Sequence, residues 1–224
     1  MIASFTPRMD ILPAAQTRLW PELRTITDLG FVLYGGTAIA LRLGHRASVD
    51  FDFFIDRPLD KGLLREKVPF IRSGDVLQDV FNTLTLLTST NAPPSERVKI
   101  SFFGGIDLGR VGEPQKTTDG MLCVASLEDL LASKLSTVLQ RVESKDYFDV
   151  AAILKAGLRL DDGLASARAL RGHSFQPAES LKALTYFEGG DLADLPAEIK
   201  TTLIKAVAEV EELPSVSRKS NQLR

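Results

Sequence analysis

Asp50 and Asp52, two residues apart in SVDFDFFI, stand among phenylalanines, where an unpaired charge is costly to bury. On an extended chain the side chains at i and i+2 project from one face, roughly 6.6 to 7 Å apart at the backbone, so both carboxylates can bend toward shared cations. A pair of divalent ions about 3.5 to 4 Å apart is the usual device for in-line phosphoryl transfer. Just upstream, Gly35 and Gly36 end the run FVLY. Glycines there let backbone N–H groups face a phosphate, a helix opening at Thr37 adds its positive end, and the Thr37 hydroxyl has a hydrogen bond to give. Taken singly, the two aspartates also suit a solvent-facing alternation, and GGT a plain strand-to-helix turn. The order strand, GGT, helix, DxD is more telling. Asp50 follows Gly36 by fourteen residues, enough for a helix to carry the second strand back beside the first.

The elements that must position these residues follow from periodicity. Residues 16–29 have helical spacing and stop at Gly30; 31–34 form a short buried strand and 37–45 a helix with few polar positions. In the strand 48–55, Val49, Phe51 and Phe53 point one way and Asp50 and Asp52 the other. After a polar helical segment, 59–68, strands at 83–88 and 97–103 flank the turn-rich TNAPPSE and suit antiparallel pairing; 122–126 adds an edge strand. From Ser126 the pattern turns helical, with Ser126 and Asp129 spaced to cap LEDLLASKLSTVLQRV. A second helix, DYFDVAAILKAG, ends at Gly157, two or three more reach about residue 212, and the last ten residues read as loose. The fold class expected is α+β: a small mixed or antiparallel sheet flanked by helices, then a C-terminal helical bundle, with a seam near residue 125.

Composition narrows the function. The chain has 224 residues, 44% of them hydrophobic, and 27 basic against 29 acidic side chains, a formal charge of -2. That balance argues against wholesale coating of nucleic acid, so any RNA contact must be local. The lone Cys123 excludes an internal disulfide and a cysteine-built metal site, which suits a reducing compartment. The N-terminal stretch lacks a signal-peptide pattern, and no run reaches the roughly 18 to 20 apolar residues of a membrane helix, so a cytoplasmic protein with no membrane partner is expected.

The segment GGTAIALRLGHRASVDFDFF resembles the first motif of the nucleotidyl transferase AbiEii/AbiGii toxin family, a branch of the polymerase-β-like nucleotidyltransferases. KLSTVLQRVESKDYFDVAAIL, with Lys134, Arg141, Asp146 and Asp149, resembles its third and fourth motifs, and ALTYFEGGDLADLP its C-terminal helical region. The resemblance spans about residues 30–196. It implies a nucleotidyltransferase core over 1–125 and a helical region over 126–224. The implied activity is an Mg2+- or Mn2+-dependent transfer of NMP from an NTP to a hydroxyl acceptor, for which a tRNA 3′ end is suited. The implied role is the toxin of a bacterial toxin–antitoxin or abortive-infection system, with a cognate antitoxin as protein partner. By the same resemblance Asp50 and Asp52 hold the metals, Gly35, Gly36 and Thr37 the triphosphate, and Lys134 the charge of the transferring group. Arg141 shares that task or grips the nucleotide, while Asp149, or its neighbour Asp146, attends the acceptor hydroxyl.

The residues themselves leave alternatives open. Lys134, Val138 and Arg141 at i, i+4 and i+7 share a helix face, as do Asp146 and Asp149 at i and i+3. Those spacings equally suit a solvated face and a structural Asp149–Arg141 ion pair. The strand RVKISFF offers Ser101 where polymerase-β-like enzymes commonly place a third carboxylate, and serine is not a useful base at neutral pH. Either a helix aspartate supplies that function or the reaction is slow and needs a partner. Ser101 thus motivates a second reading, a catalytically weak or inactive nucleotide-binding module acting through a protein partner. A glycosyltransferase, in which a DxD also holds a nucleotide diphosphate, is opposed by GGT and the helical second half.

Overall fold

The computed structural model of the chain describes residues 3–89 and 97–224. The chain divides into two compact units: one comprises the chain up to Asp107 with Glu113–Ala125 and Gln222–Arg224, the other Leu108–Gly112 and Ser126–Asn221.

The first unit is built on strands β1 (Ser4–Phe5), β2 (Val32–Tyr34), β3 (Asp50–Phe54), β4 (Asp75–Val80), β5 (Thr83–Ser89), β6 (Arg97–Phe103), β7 (Gln115–Thr117) and β8 (Cys123–Val124). Among the described residues these eight form one mixed sheet in the order β1-β7-β8-β2-β3-β6-β5-β4. β3 pairs antiparallel with β2 and parallel with β6. The connections carry α1 (Ala14–Leu19), α2 (Arg24–Asp28), α3 (Gly35–Leu43), α4 (Lys61–Lys67) and α5 (Pro69–Ser73). β3 is a strand because every second residue is apolar and buried: Phe51 and Phe53 lie in the core, where Phe53 stacks on Phe102 of β6 at 5.6 Å between ring centroids.

Several expectations change. The helix expected over 16–29 breaks at Trp20–Leu23, a 3-10 turn, because Pro21 lacks an amide hydrogen for a continuous ladder. β8 is an interior strand between β7 and β2 rather than an edge, and β1, β4 and β7 make the sheet larger than the sequence suggested. Val49 precedes β3 and is exposed instead of joining the Phe51 side. The pairing of the two strands flanking TNAPPSE is antiparallel from Thr83↔Phe103 to Ser89↔Arg97; TNAPPSE itself lies outside the described residues. The C-terminus is held: Leu223 is buried and the Arg224 guanidinium donates to the Thr27 carbonyl at 2.6 Å.

The second unit consists of α6 (Leu127–Thr137), α7 (Ser144–Lys155), α8 (Leu160–Arg171), α9 (Pro177–Thr185) and α10 (Ala197–Ala208). Ser126 caps α6, its hydroxyl accepting from the Asp129 amide at 3.1 Å. α6 and α8 pack closely at Gly163, where a Cβ would fall 2.4 Å from a methyl of Leu131. α6 ends at Thr137, so Lys134 is on it and Arg141 is not; the shared helix face expected of those two cations does not exist. No described helix is long and apolar enough to cross a membrane.

Candidate functional site

Alternation along β3 sends Asp50 and Asp52 to the face opposite Phe51 and Phe53, and both are half-buried. α3 begins immediately after β2, at Gly35 rather than at Thr37, with Tyr34 still extended. Gly35 has φ +75, and a Cβ there would stand 2.4 Å from Asp52 Oδ2. Only glycine fits: its backbone is left-handed, and the Asp52 carboxylate rests against its Cα at the start of the helix. Gly36 completes that first turn. One carboxylate of the pair is thus fixed beside the backbone amides that open α3, the region where a helix favours negative charge.

Thr37 takes a different place from the one expected. It is buried; its hydroxyl donates to the Asp50 carbonyl and lies 2.7 Å from Ser48 Oγ. A hydroxyl has one proton to give, so Ser48 is the donor to Thr37, and the threonine proton is spent on β3 instead of on a phosphate. Thr37 therefore positions Asp50 by tying the start of β3 to the first turn of α3.

The sheet supplies neighbours that local spacing could not give. β6 runs parallel to β3 in the register Asp50↔Lys99 and Asp52↔Ser101. The Lys99 ammonium donates to Asp50 Oδ2 at 3.2 Å. Ser101 is buried and accepts from Thr85 Oγ1 at 3.3 Å. Lys99 went unnoticed in the sequence, although its parity with Ser101 in RVKISFF was available; what was missing was the register between the two strands.

The chemistry of the donor set fits a divalent cation. Mg2+ takes hard oxygen ligands in near-octahedral geometry, commonly one or two carboxylates completed by phosphate oxygens and water, and Asp50 and Asp52 offer two carboxylates on one strand face. Among the described residues no group of three or more His, Cys, Asp or Glu side chains is arranged to hold a metal.

The cations and aspartates of the helical unit form a network of their own. The Lys134 ammonium lies 2.7 Å from Asp146 Oδ1 and 2.6 Å from Asp149 Oδ2; both aspartates are fully buried and the lysine nearly so. Arg141, from the turn after α6, grips the same Asp146 through Nε at 2.8 Å and Nη2 at 3.0 Å. Burial pushes the Asp146 carboxyl up, but the hydrogen bonds from Arg141 and the charge of Lys134 outweigh it and hold it below the usual carboxylate range. Asp149 pairs with Lys134, and Arg141 grips Asp146.

Three comparisons bear on this arrangement. The family model described as nucleotidyl transferase AbiEii toxin, type IV toxin–antitoxin system, matches residues 23–219. An uncharacterized protein of Aquifex aeolicus is 29% identical over 139 residues, which cover 59% of this chain and 64% of that protein. The chain therefore spans less than two thirds of that relative's length. An antigenic nucleotidyltransferase-like protein from Paracoccidioides brasiliensis, known from a crystal structure, shares the fold at a TM-score of 0.50 and 16% identity, over 80% of this chain and 94% of that one.

Proposed function

Because the chain belongs to the nucleotidyl transferase AbiEii toxin family, we propose that it transfers NMP from an NTP to a hydroxyl acceptor, a tRNA 3′ end being the acceptor class to test first, and that it acts as the toxin of a type IV toxin–antitoxin pair with an antitoxin as its protein partner. The observation that carries the reading is the pair Asp50 and Asp52 on one face of β3, with the Asp52 carboxylate seated against Gly35 where α3 begins.

In this reading Asp50 and Asp52 hold Mg2+ or Mn2+, and Gly35 and Gly36 present backbone amides to the triphosphate. The bound cation would withdraw charge from the transferring phosphoryl group. The acceptor oxygen forms a bond to the α-phosphorus, the bond from that phosphorus to the bridging oxygen breaks, and pyrophosphate leaves. Lys134 is assigned to the charge of the transferring group and Asp149 to the acceptor proton, with Asp146 and Arg141 holding Lys134 in place.

The buried network favours a second reading for the helical residues alone: a structural brace, in which Lys134 neutralises Asp146 and Asp149 and none of the four meets substrate. The test of the main reading is a transfer assay with each labelled NTP, Mg2+ and total bacterial RNA. Label should enter RNA with the native chain and not with Asp52→Asn, at an unchanged melting temperature. Equal labelling by the two proteins would overturn the assignment of the aspartates.

A further inference from the structure

Strand pairing places one more charged group beside the two aspartates. Lys99 and Asp50 are opposed in the β3–β6 register, and their 3.2 Å ion pair is accessible, with the side chains 43% and 34% exposed. Such a pair contributes little to folding and is readily exchanged for another partner. Ser101, opposite Asp52 where a third carboxylate would serve, is buried and engaged with Thr85. The strand face therefore offers two carboxylates and an ammonium. Two dications a few ångströms apart repel strongly and need ample negative charge around them; a lysine already beside Asp50 removes part of the charge that two carboxylates provide.

We propose that Lys99 takes the place of one of the two cations customary for phosphoryl transfer: Asp50 and Asp52 hold a single divalent ion, and the Lys99 ammonium, exchanged from Asp50, supplies the second positive charge to the triphosphate. This rests on the nucleotidyltransferase reading above and adds the metal count and the residue that sets it.

Two measurements on the full chain test it. In crystals grown with Mn2+ and a non-hydrolysable α,β-methylene NTP, anomalous scattering should find one Mn2+ at Asp50 and Asp52, with the Lys99 ammonium on a phosphate oxygen. In nucleotide-free protein, Mn2+ affinity is read from the electron paramagnetic resonance signal of the free ion. Lys99→Met should tighten binding roughly tenfold, because it removes a unit charge about 5 Å from a dication in a largely aqueous setting. Lys99→Arg, which keeps the charge, should not. Two Mn2+ ions at the aspartates, or unchanged affinity in Lys99→Met, overturns the proposal. Asp52→Ala separates this failure from that of the underlying reading: if it binds Mn2+ as the native chain does, the aspartates are not the metal ligands and the nucleotidyltransferase assignment of the site falls with them. The exposure of Lys99 leaves folding out of the question, and the melting temperature of each variant confirms it.

Discussion

Replacing Lys134 with alanine distinguishes a brace from a catalytic lysine. The ammonium lies 2.7 Å from Asp146 and 2.6 Å from Asp149, both with no exposed side-chain surface. Its removal leaves Asp146 to Arg141, which still donates twice to it, but takes from the buried Asp149 carboxylate an ammonium at 2.6 Å. Removing one partner of a buried pair costs about 3 to 5 kcal/mol, far more than the net worth of the pair, because the remaining charge is left without compensation. For a chain of this size that corresponds to a drop of roughly 6 to 20 °C in Tm. Thermal denaturation followed by circular dichroism, run beside the transfer assay, reads stability and activity together. Adding Asp149→Asn to Lys134→Ala should recover part of the loss, since a buried carboxylate that has lost its ammonium becomes a neutral amide. A shift of only a degree or two in Tm, with transfer lost, would refute this reasoning and leave the lysine to catalysis.

Three further outcomes follow from the same geometry. Gly35→Ala forces a Cβ into the place of the Asp52 carboxylate and a left-handed backbone on alanine, costing about 1 to 2 kcal/mol; transfer should fall at least about tenfold, and activity equal to that of the native chain would contradict the close approach. Thr37→Val leaves the Asp50 carbonyl without its buried donor, so unfolding by urea should show a loss of about 1 to 3 kcal/mol, whereas a Thr37 that served only a phosphate would lose affinity for NTP and no stability. Asp146 titrates below its unfolded value of about 3.9. Its contribution to stability is therefore complete above that value and lost as the pH falls through the lower, folded one. Denaturation midpoints measured from pH 5 down to pH 2 should fall less steeply in Asp146→Asn than in the native chain; parallel profiles would remove Asp146 from the acid response.

Local chemistry was legible without the structure wherever one element contains it. Alternation in DFDFF separates Asp50 and Asp52 from Phe51 and Phe53 because side chains on a strand repeat every two residues. The glycine that opens α3 and the serine that caps α6 are set by backbone conformation within a single turn. Hydrophobic spacing likewise gave β5 and β6 to within one residue and α7 to within two, but missed β4, whose six residues are all exposed and show no burial period.

What spans elements was decided by tertiary structure. Nothing in RVKISFF says that Lys99 faces Asp50 and Ser101 faces Asp52; a shift of the β3–β6 register by one residue would bring Ile100 to Asp50 and send Lys99 to the other face. The spacing of GGT implied a free hydroxyl on Thr37, yet the approach of α3 to β3 turned that proton onto the Asp50 carbonyl. Lys134 and Arg141 were expected to share a helix face. α6 stops at Thr137 instead, and the two cations meet at Asp146, because buried carboxylates on α7 must draw counter-charges from whatever segments pack against them. Sequence specifies the period of each element and hence which residues lie together along it; pairing partner, register and the partners of buried charges depend on atoms far apart in the chain, and packing settles them.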